Sequence, residues 1–174
     1  MAESTAPVPA PRRSPEVQAA PTAQELLAVA CWLAEADGSP GRVWAQWERY
    51  GVALLPLGCR FDAVRVPPER VHEAVGSEEA ETVATVLAAW LGGPVIRDFR
   101  SSMGPYYVLI APGSDWGGPG ERLTTGTYLG VPRPGRCTML CRWVVPPPHP
   151  GALCDTQHLH TLLATTTSLK TVGR

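Results

Sequence analysis

Apolar residues recur along this chain with two spacings, one typical of helices and the other of strands. From Thr22 to Ala36 they return every three or four positions, and Thr22 with Glu25 has the sequence of a capping box. Comparable stripes predict further helices over residues 40–50, 69–75, 78–91 and from 155 or 156 to about 168. Alternating or short apolar runs predict strands over residues 51–56, 61–66, 95–99, 106–111, 125–131 and 138–145. Helices and strands in alternating blocks predict one α+β (mixed α/β) domain, with a mixed sheet flanked by helices.

The stretch of residues 51–67 has the clearest strand pattern. Two apolar runs flank the turn residues Gly58-Cys59-Arg60, and this arrangement predicts a β-hairpin. Alternation along the second run places Arg65 on one face of its strand and Asp62 on the other, among aliphatic neighbours. An acidic side chain is therefore expected on an otherwise apolar face of a central strand.

Residues 1–21 differ from the rest of the chain in composition. They are rich in proline and alanine and show no apolar periodicity, which is typical of a disordered arm. Residues 22–174 are long enough to form a single domain with a hydrophobic core. The 17 glycines and 19 prolines predict many turns, among them a flexible loop over residues 112–120.

Charge is distributed unevenly, although the formal net charge is only −1. Residues 1–91 carry 7 basic and 12 acidic groups, whereas residues 92–174 carry 8 basic and 4 acidic groups. This asymmetry hints that the second half faces an anion, and a solvated surface is the plainer interpretation. The sequence shows neither a signal peptide nor an apolar run of membrane-spanning length, so a cytoplasmic protein with reduced thiols and no membrane partner is expected.

Few of the residues that could ligate a metal, bind a cofactor or act in catalysis fall into a recognised motif. A zinc site from Cys137, Cys141, Cys154, His158 and His160 is disfavoured, because a strand would hold the first two about 13 Å apart. These cysteines are expected to be buried small apolar residues instead. Nucleotide-binding, Walker, nucleophile-elbow and His-Glu-x-x-His motifs do not occur in the sequence, so no cofactor and no metal are expected. Trp44 and Trp47 could stack on a base, but core packing is favoured for both.

The order of blocks from Cys31 to Pro148 resembles the N-terminal domain of bifunctional DNA primase-polymerases, and especially small stand-alone versions of that domain in high-GC bacteria. The resemblance implies a primase-polymerase-like mixed sheet flanked by helices. Its helical part is carried by Trp32-Leu33-Ala34 with Trp44 and Trp47. Its strand part is carried by the predicted strands within 51–55 and 61–66, by the strand–turn–strand segment 94–112, and by the segment 125–132 with Arg142-Trp143 and Pro146-Pro147.

The chain departs from that family at the residues that carry its chemistry. The family ends the second of these strands with an Asp-x-Asp pair, and this chain has Arg65-Val66-Pro67 there. A guanidinium cannot ligate the divalent cations that nucleotidyl transfer requires. The turn 101–106 also lacks the histidine that the family carries. The resemblance thus implies a fold kept without its catalytic residues.

Three hypotheses follow for the function. The first is a catalytically inactive primase-polymerase-like domain that binds nucleic acid or nucleotide through basic residues of the second half. The second is a protein-interaction or regulatory module that uses the proline-rich segments 1–21 and 146–150. The third is an active nucleotidyltransferase with rearranged carboxylates, for instance Asp62, Asp98 and Asp115. The candidate contacts of the first hypothesis are Arg97, Arg100, Arg122, Arg133, Arg136 and Arg142.

Overall fold

A computed structural model describes residues 19–171, with side chains described for residues 19–164. The arm predicted for residues 1–21 falls mostly on residues 1–18, which lie outside the described range. Within that range the helices are α1 (Ala23–Ala34), α2 (Pro40–Tyr50), α3 (Pro68–Val75), α4 (Ala80–Leu91) and α5 (Thr156–Thr171). The strands are β1 (Val52–Pro56), β2 (Asp62–Val66), β3 (Val95–Asp98), β4 (Tyr106–Ile110), β5 (Glu121–Leu123), β6 (Tyr128–Pro132) and β7 (Cys141–Val145).

Local sequence signals set the ends of the first two helices. At the start of α1, the Thr22 hydroxyl accepts a hydrogen bond from the Glu25 amide at 3.2 Å, and the Glu25 carboxylate accepts one from the Thr22 amide at 2.7 Å. This reciprocal pair is the predicted capping box. Pro40 occupies the first turn of α2, and Gly51 ends that helix in the left-handed region at φ 73°.

The strands form two antiparallel sheets. β1 pairs with β6, so that Val52 lies opposite Pro132 and Pro56 opposite Tyr128. The remaining strands form one sheet in the order β5-β2-β4-β3-β7. Within the described residues, parallel pairing is confined to an isolated bridge between Ile110 and Cys154. The predicted α+β domain is confirmed.

Two hydrophobic clusters cover the two faces of the five-stranded sheet. Ala63 and Leu109 face the cluster formed with α1, α2 and the β1–β6 pair. Val64 and Val108 face the cluster formed with α3, α4 and α5. The alternation predicted along 61–66 is therefore confirmed, and it places a packed layer on each side of β2.

Trp47 fills the centre of the first cluster. It is fully buried, and its indole Nε1 donates a hydrogen bond to the carbonyl of Val131 at 2.9 Å. Trp44 is half-buried and meets Trp47 edge-to-face, with ring centroids 5.3 Å apart. The core position expected for these tryptophans is thus confirmed for Trp47 and partly for Trp44.

The hairpin predicted for residues 51–67 is wrong, although its turn exists. Gly58, at φ 99°, donates its amide to the carbonyl of Phe61 at 3.0 Å, but β1 and β2 then enter different sheets. The reason is burial. β2 has apolar residues on both faces and fits only inside a sheet, whereas β1 exposes Leu54 and fits a two-stranded outer layer.

The strand predicted over 125–131 is shifted, and a short strand precedes it. β5 occupies 121–123, and a turn then closes with the amide of Thr127 donating to the carbonyl of Thr124 at 3.1 Å. Gly126 takes φ 90° in this turn, a conformation that suits glycine. β6 consequently begins only at Tyr128, and it pairs with β1 rather than with β7. The last strand likewise starts late, at Cys141.

Within the described residues, no helix is long and apolar enough to cross a bilayer.

Candidate functional site

The six candidate arginines occupy four separate places in the fold. Arg97 and Arg142 meet on neighbouring strands, while Arg133 and Arg136 share one turn between β6 and β7. Arg100 is paired with Asp98, and Arg122 donates a hydrogen bond to the carbonyl of Ser114. The candidates therefore do not form one continuous basic surface.

Arg97 and Arg142 lie directly opposite each other in the β3–β7 ladder. The Cζ atom of each lies 4.8 Å from the ring centroid of Phe99, which follows β3 and is 36 % exposed. Arg97 also donates from Nε to the carbonyl of Gly104 at 3.3 Å, which fixes it against the β3–β4 turn. Two guanidinium groups are thus held at one aromatic ring that solvent still reaches.

Tyr106 and His72 complete this cluster. Tyr106 is the β4 partner of Arg97, and the Arg97 Cζ lies 4.8 Å from its ring centroid. The Tyr106 hydroxyl and His72 Nε2 are 2.9 Å apart. We call His72, Arg97, Phe99, Tyr106 and Arg142 the arginine-pair site.

Burial and neighbouring charges shift the pKa values of His72 and Tyr106, the two titratable residues in contact with the arginines. Burial lowers the pKa of His72, and Arg97 lowers it further, against the opposing effect of Glu78 and Glu69. Burial raises the pKa of Tyr106, although Arg97 and Arg142 oppose that shift. Neutral His72 and protonated Tyr106 therefore share their hydrogen bond at neutral pH, and the positive charge of the site resides on the two arginines.

The arginine-pair site opens into two adjoining cavities that share Arg97. One, of about 570 Å³, lies between α3 and the start of α4 and is lined by His72 and by Glu69, Glu73 and Glu78. The other, of about 240 Å³, lies over the β3–β7 ladder and is lined by Tyr106, Arg142 and Glu81. The cationic floor is thus bordered by carboxylates on the α3–α4 side.

Within the described residues, neither arginine of the pair forms an ion pair with a carboxylate. The ion pairs in the described part of the chain are Arg42–Asp37, Arg60–Glu35 and Arg100–Asp98, and neither Arg97 nor Arg142 is among them. Like charges directly opposite each other in a ladder destabilise it by a fraction of a kcal/mol. A bound anion would remove that repulsion.

Arg100, by contrast, is occupied within the fold. Its guanidinium donates to both carboxylate oxygens of Asp98, at 2.7 to 3.2 Å, and its backbone amide donates to Asp98 at 2.9 Å. It also lies on the backbone of Gly130, where an added Cβ would be 3.0 Å from its Cζ atom. Arg100 therefore links β3 of the large sheet to β6 of the small one, and we leave it out of the arginine-pair site.

The three carboxylates proposed for a rearranged metal site do not converge. Asp62 lies opposite Ile110 at one end of β4, whereas Asp98 lies one residue beyond the Arg97–Tyr106 pair at the other end, about 16 Å away along the strands. Both oxygens of Asp62 are engaged, by the Gly113 amide at 3.0 Å and the Thr124 hydroxyl at 2.9 Å. In the part of the chain that the structure describes, no three His, Cys, Asp or Glu residues are placed to hold a metal ion.

The cysteines follow the sequence prediction only in part. Cys141 and Cys154 are buried, and burial raises the pKa of each thiol to about 12. Cys137, also expected to be buried, is exposed. It precedes a turn in which the Thr138 hydroxyl accepts from the Cys141 amide at 3.0 Å, so the strand does not yet exist at residue 137.

Sequence patterns do not single out His72, Phe99 or Tyr106 as site residues. The i, i+2 spacing of Arg97 and Phe99 on a predicted strand was the available signal that they share a face. Pairing of β3 with β7 joins residues distant in sequence, so the contact between Arg97 and Arg142 was not readable from the chain.

Comparisons of this chain with protein-family models, with curated proteins and with solved structures gave no match. The likeness to primase-polymerase domains therefore rests on the sequence segments described above.

Proposed function

We propose that this protein is a catalytically inactive primase-polymerase-like domain that binds phosphate groups of nucleic acid or nucleotide at the arginine-pair site. The observation that carries this is the Arg97–Arg142 pair against the exposed Phe99 ring, in which neither arginine forms an ion pair within the described residues. Guanidinium groups match phosphate oxygens in geometry and charge, so two of them on adjacent strands suit a phosphodiester or a polyphosphate.

The surroundings of Phe99 support a ligand that also carries a base. The Phe99 amide donates to the carbonyl of Leu140 at 2.8 Å, so the β3–β4 and β6–β7 loops lie side by side. Phe99, Met103 and Leu140 are exposed large apolar side chains on these loops. Both guanidinium groups already contact the Phe99 ring, so Met103 and Leu140 supply the apolar surface on which an unpaired base would pack while its phosphate meets the cations.

The positions of the carboxylates support the proposed absence of nucleotidyl transfer. Two-metal catalysis requires acidic ligands that clamp both ions near the reacting oxygens. Arg65 stands near the end of β2, where the resembling family has its acidic pair, and Asp62 and Asp98 are engaged at opposite ends of the sheet. A binding role without chemistry fits these positions.

Two assays on the full chain test this function. Anisotropy of a labelled oligo-dT of about 15 nucleotides should report saturable binding at 50 mM salt that weakens as salt rises. A primer-extension assay with nucleotides and magnesium or manganese should give no product above a no-protein control. Product formation would contradict the inactive assignment, and absence of binding to both the oligonucleotide and a nucleoside triphosphate would contradict the binding assignment.

A further inference from the structure

A second groove lies on the other side of the molecule, between α1, α2 and the turn at residues 133–136. Its volume is about 330 Å³. Leu26, Leu27 and Ala30 of α1 and Trp44 of α2 form its floor, and Arg133 and Arg136 form its rim. It shares no lining residue with the arginine-pair site.

The rim is preformed by a tight turn. In Arg133-Pro134-Gly135-Arg136 the Arg136 amide donates to the Arg133 carbonyl at 3.1 Å, and Gly135 has φ 79°. Proline at the second position and glycine with positive φ at the third are the signature of a type II turn, which brings its end residues within about 7 Å. The two arginines are therefore presented together, without loss of loop entropy on binding.

The turn is also anchored to the groove itself. The Arg133 amide donates to the carbonyl of Gly51 at 3.0 Å. A Cβ at Gly135 would lie 2.8 Å from Cδ1 of Leu26, so the turn rests directly on the apolar floor. The distance between the cationic rim and the floor is thus fixed.

The floor is aliphatic rather than a platform for bases. Leu27 is 54 % exposed, although it belongs to a helix whose other face is packed in the core. The Trp44 ring already meets Trp47 edge-on, and the Cζ of Arg133 lies 5.3 Å from its centroid. A nucleobase would find little free aromatic surface there, whereas leucine-sized side chains fit.

Charge complementarity identifies the occupant. Among the described residues, no acidic side chain lines the groove, and neither Arg133 nor Arg136 takes part in an ion pair. We infer that the groove docks a protein partner through an acidic amphipathic helix, with apolar residues on the floor and carboxylates on the two arginines. This is the helix-in-groove mode, extended by two charge-assisted hydrogen bonds.

Synthetic peptides test this with the full chain. The probe is a labelled amphipathic peptide of about three turns with leucines on one face and glutamates beside them, and the controls replace either the glutamates by glutamine or the leucines by serine. We expect the acidic leucine peptide to bind at least about tenfold more tightly than either control, as two charge-assisted contacts permit. Equal affinity for the three peptides, or no binding up to about 1 mM, would overturn the inference.

Variants test whether the peptide binds in this groove, and competition tests whether another molecule occupies it. Arg136→Glu and Leu27→Glu alter exposed groove residues and should each weaken the acidic peptide about tenfold or more, whereas the matched Arg122→Glu should leave it unchanged. Circular dichroism confirms that each variant is folded. Displacement of the peptide by oligo-dT would mark the groove as a nucleic-acid site. Self-association that Arg136→Glu abolishes would mark it as an interface with a second copy, and either result would contradict a protein partner.

Discussion

Asp62 is a fully buried carboxylate that holds two loops against β2. Its oxygens accept hydrogen bonds from the Gly113 amide and the Thr124 hydroxyl. Asp62→Ala leaves both donors without an acceptor, and we expect a loss of about 3 kcal/mol in the free energy of unfolding. Urea denaturation measures it. Asp115→Ala, at an exposed position, is the control, and its free energy of unfolding should stay within about 0.5 kcal/mol of the wild type. Equal losses of stability in the two variants would contradict the role given to Asp62.

Asp98 and Arg100 make stability depend on pH. Burial alone raises the pKa of Asp98, but hydrogen bonds from the Arg100 side chain and backbone, with the charges of Arg100 and Arg65, bring it below its ordinary value. A carboxylate with a lowered folded pKa adds stability above its unfolded pKa of about 4 and loses it as pH falls through the folded value.

Arg100→Gln should therefore destabilise the protein mainly at neutral pH. We expect a loss of about 2 kcal/mol near pH 7, less than for a fully buried pair because the Arg100 side chain is 41 % exposed. The loss should be smaller at an acid pH below the folded pKa of Asp98, where that carboxylate is protonated in both proteins. Thermal unfolding across this range measures it, with Arg122→Gln as the exposed control. A loss that is the same at both pH values would show that Arg100 acts by packing alone.

His72 gives the arginine-pair site a pH dependence of its own. Because its pKa is lowered, the imidazole is neutral at pH 7. On acidification it becomes protonated and adds a third positive charge to those of Arg97 and Arg142. Oligonucleotide affinity should rise about threefold as pH falls below about 6.5 and through the lowered pKa of His72. His72→Gln, which keeps a hydrogen-bonding group near Tyr106, should lose this rise, and the exposed His149→Gln should keep it. An unchanged profile in His72→Gln would remove His72 from the site.

At the scale of elements, Gly93 sets how closely β3 approaches the segment before α5. A Cβ there would lie 2.5 Å from the backbone nitrogen of Cys154 and still closer to the carbonyl carbon of Leu153. Backbone cannot yield as a side chain can, so Gly93→Ala should cost about 3 kcal/mol. Gly41→Ala in α2 meets open space and should stabilise the protein by roughly 0.5 kcal/mol. Similar melting temperatures for the two variants would contradict this packing.

The helices and most strands were readable from the sequence because their signals are local. Thr22 with Glu25 marks the start of α1, and alternation along 61–66 predicts both faces of β2. Partners of the strands were not readable. The turn at Gly58 is the same whether β1 and β2 pair or diverge, and only burial of β2 on both faces decides against the hairpin.

The residues of the candidate site were predictable in part, but their arrangement was not. Composition indicated the arginines of the second half, and the fold distributes them among the arginine-pair site, the turn at 133–136, the ion pair of Arg100 and the loop contact of Arg122. Arg97 and Arg100 are equivalent in the sequence, but Asp98 lies within reach of Arg100 only. Which arginine stays free therefore depends on side-chain geometry that a linear pattern does not contain.

At the scale of the whole molecule, acidic and basic groups are arranged around the same opening. Glutamates of α3 and α4 border the cavities whose floor carries Arg97 and Arg142, which is why the net charge of −1 says little about the ligand. A carboxylate rim of this kind disfavours long polyanions lying across α3 and α4, so contacts with phosphate should be few.

Salt dependence of oligonucleotide binding is the most direct measurement of the central claim. Two phosphate contacts by Arg97 and Arg142 predict a slope of about −1.4 in log affinity against log salt, or about a sevenfold loss between 50 and 200 mM salt. Arg97→Ala/Arg142→Ala should remove most of this slope together with most of the affinity. Arg49→Ala/Arg122→Ala deletes two exposed arginines outside the site and should retain both. A slope that survives in the first variant, or disappears in the second, would contradict phosphate binding at the arginine pair.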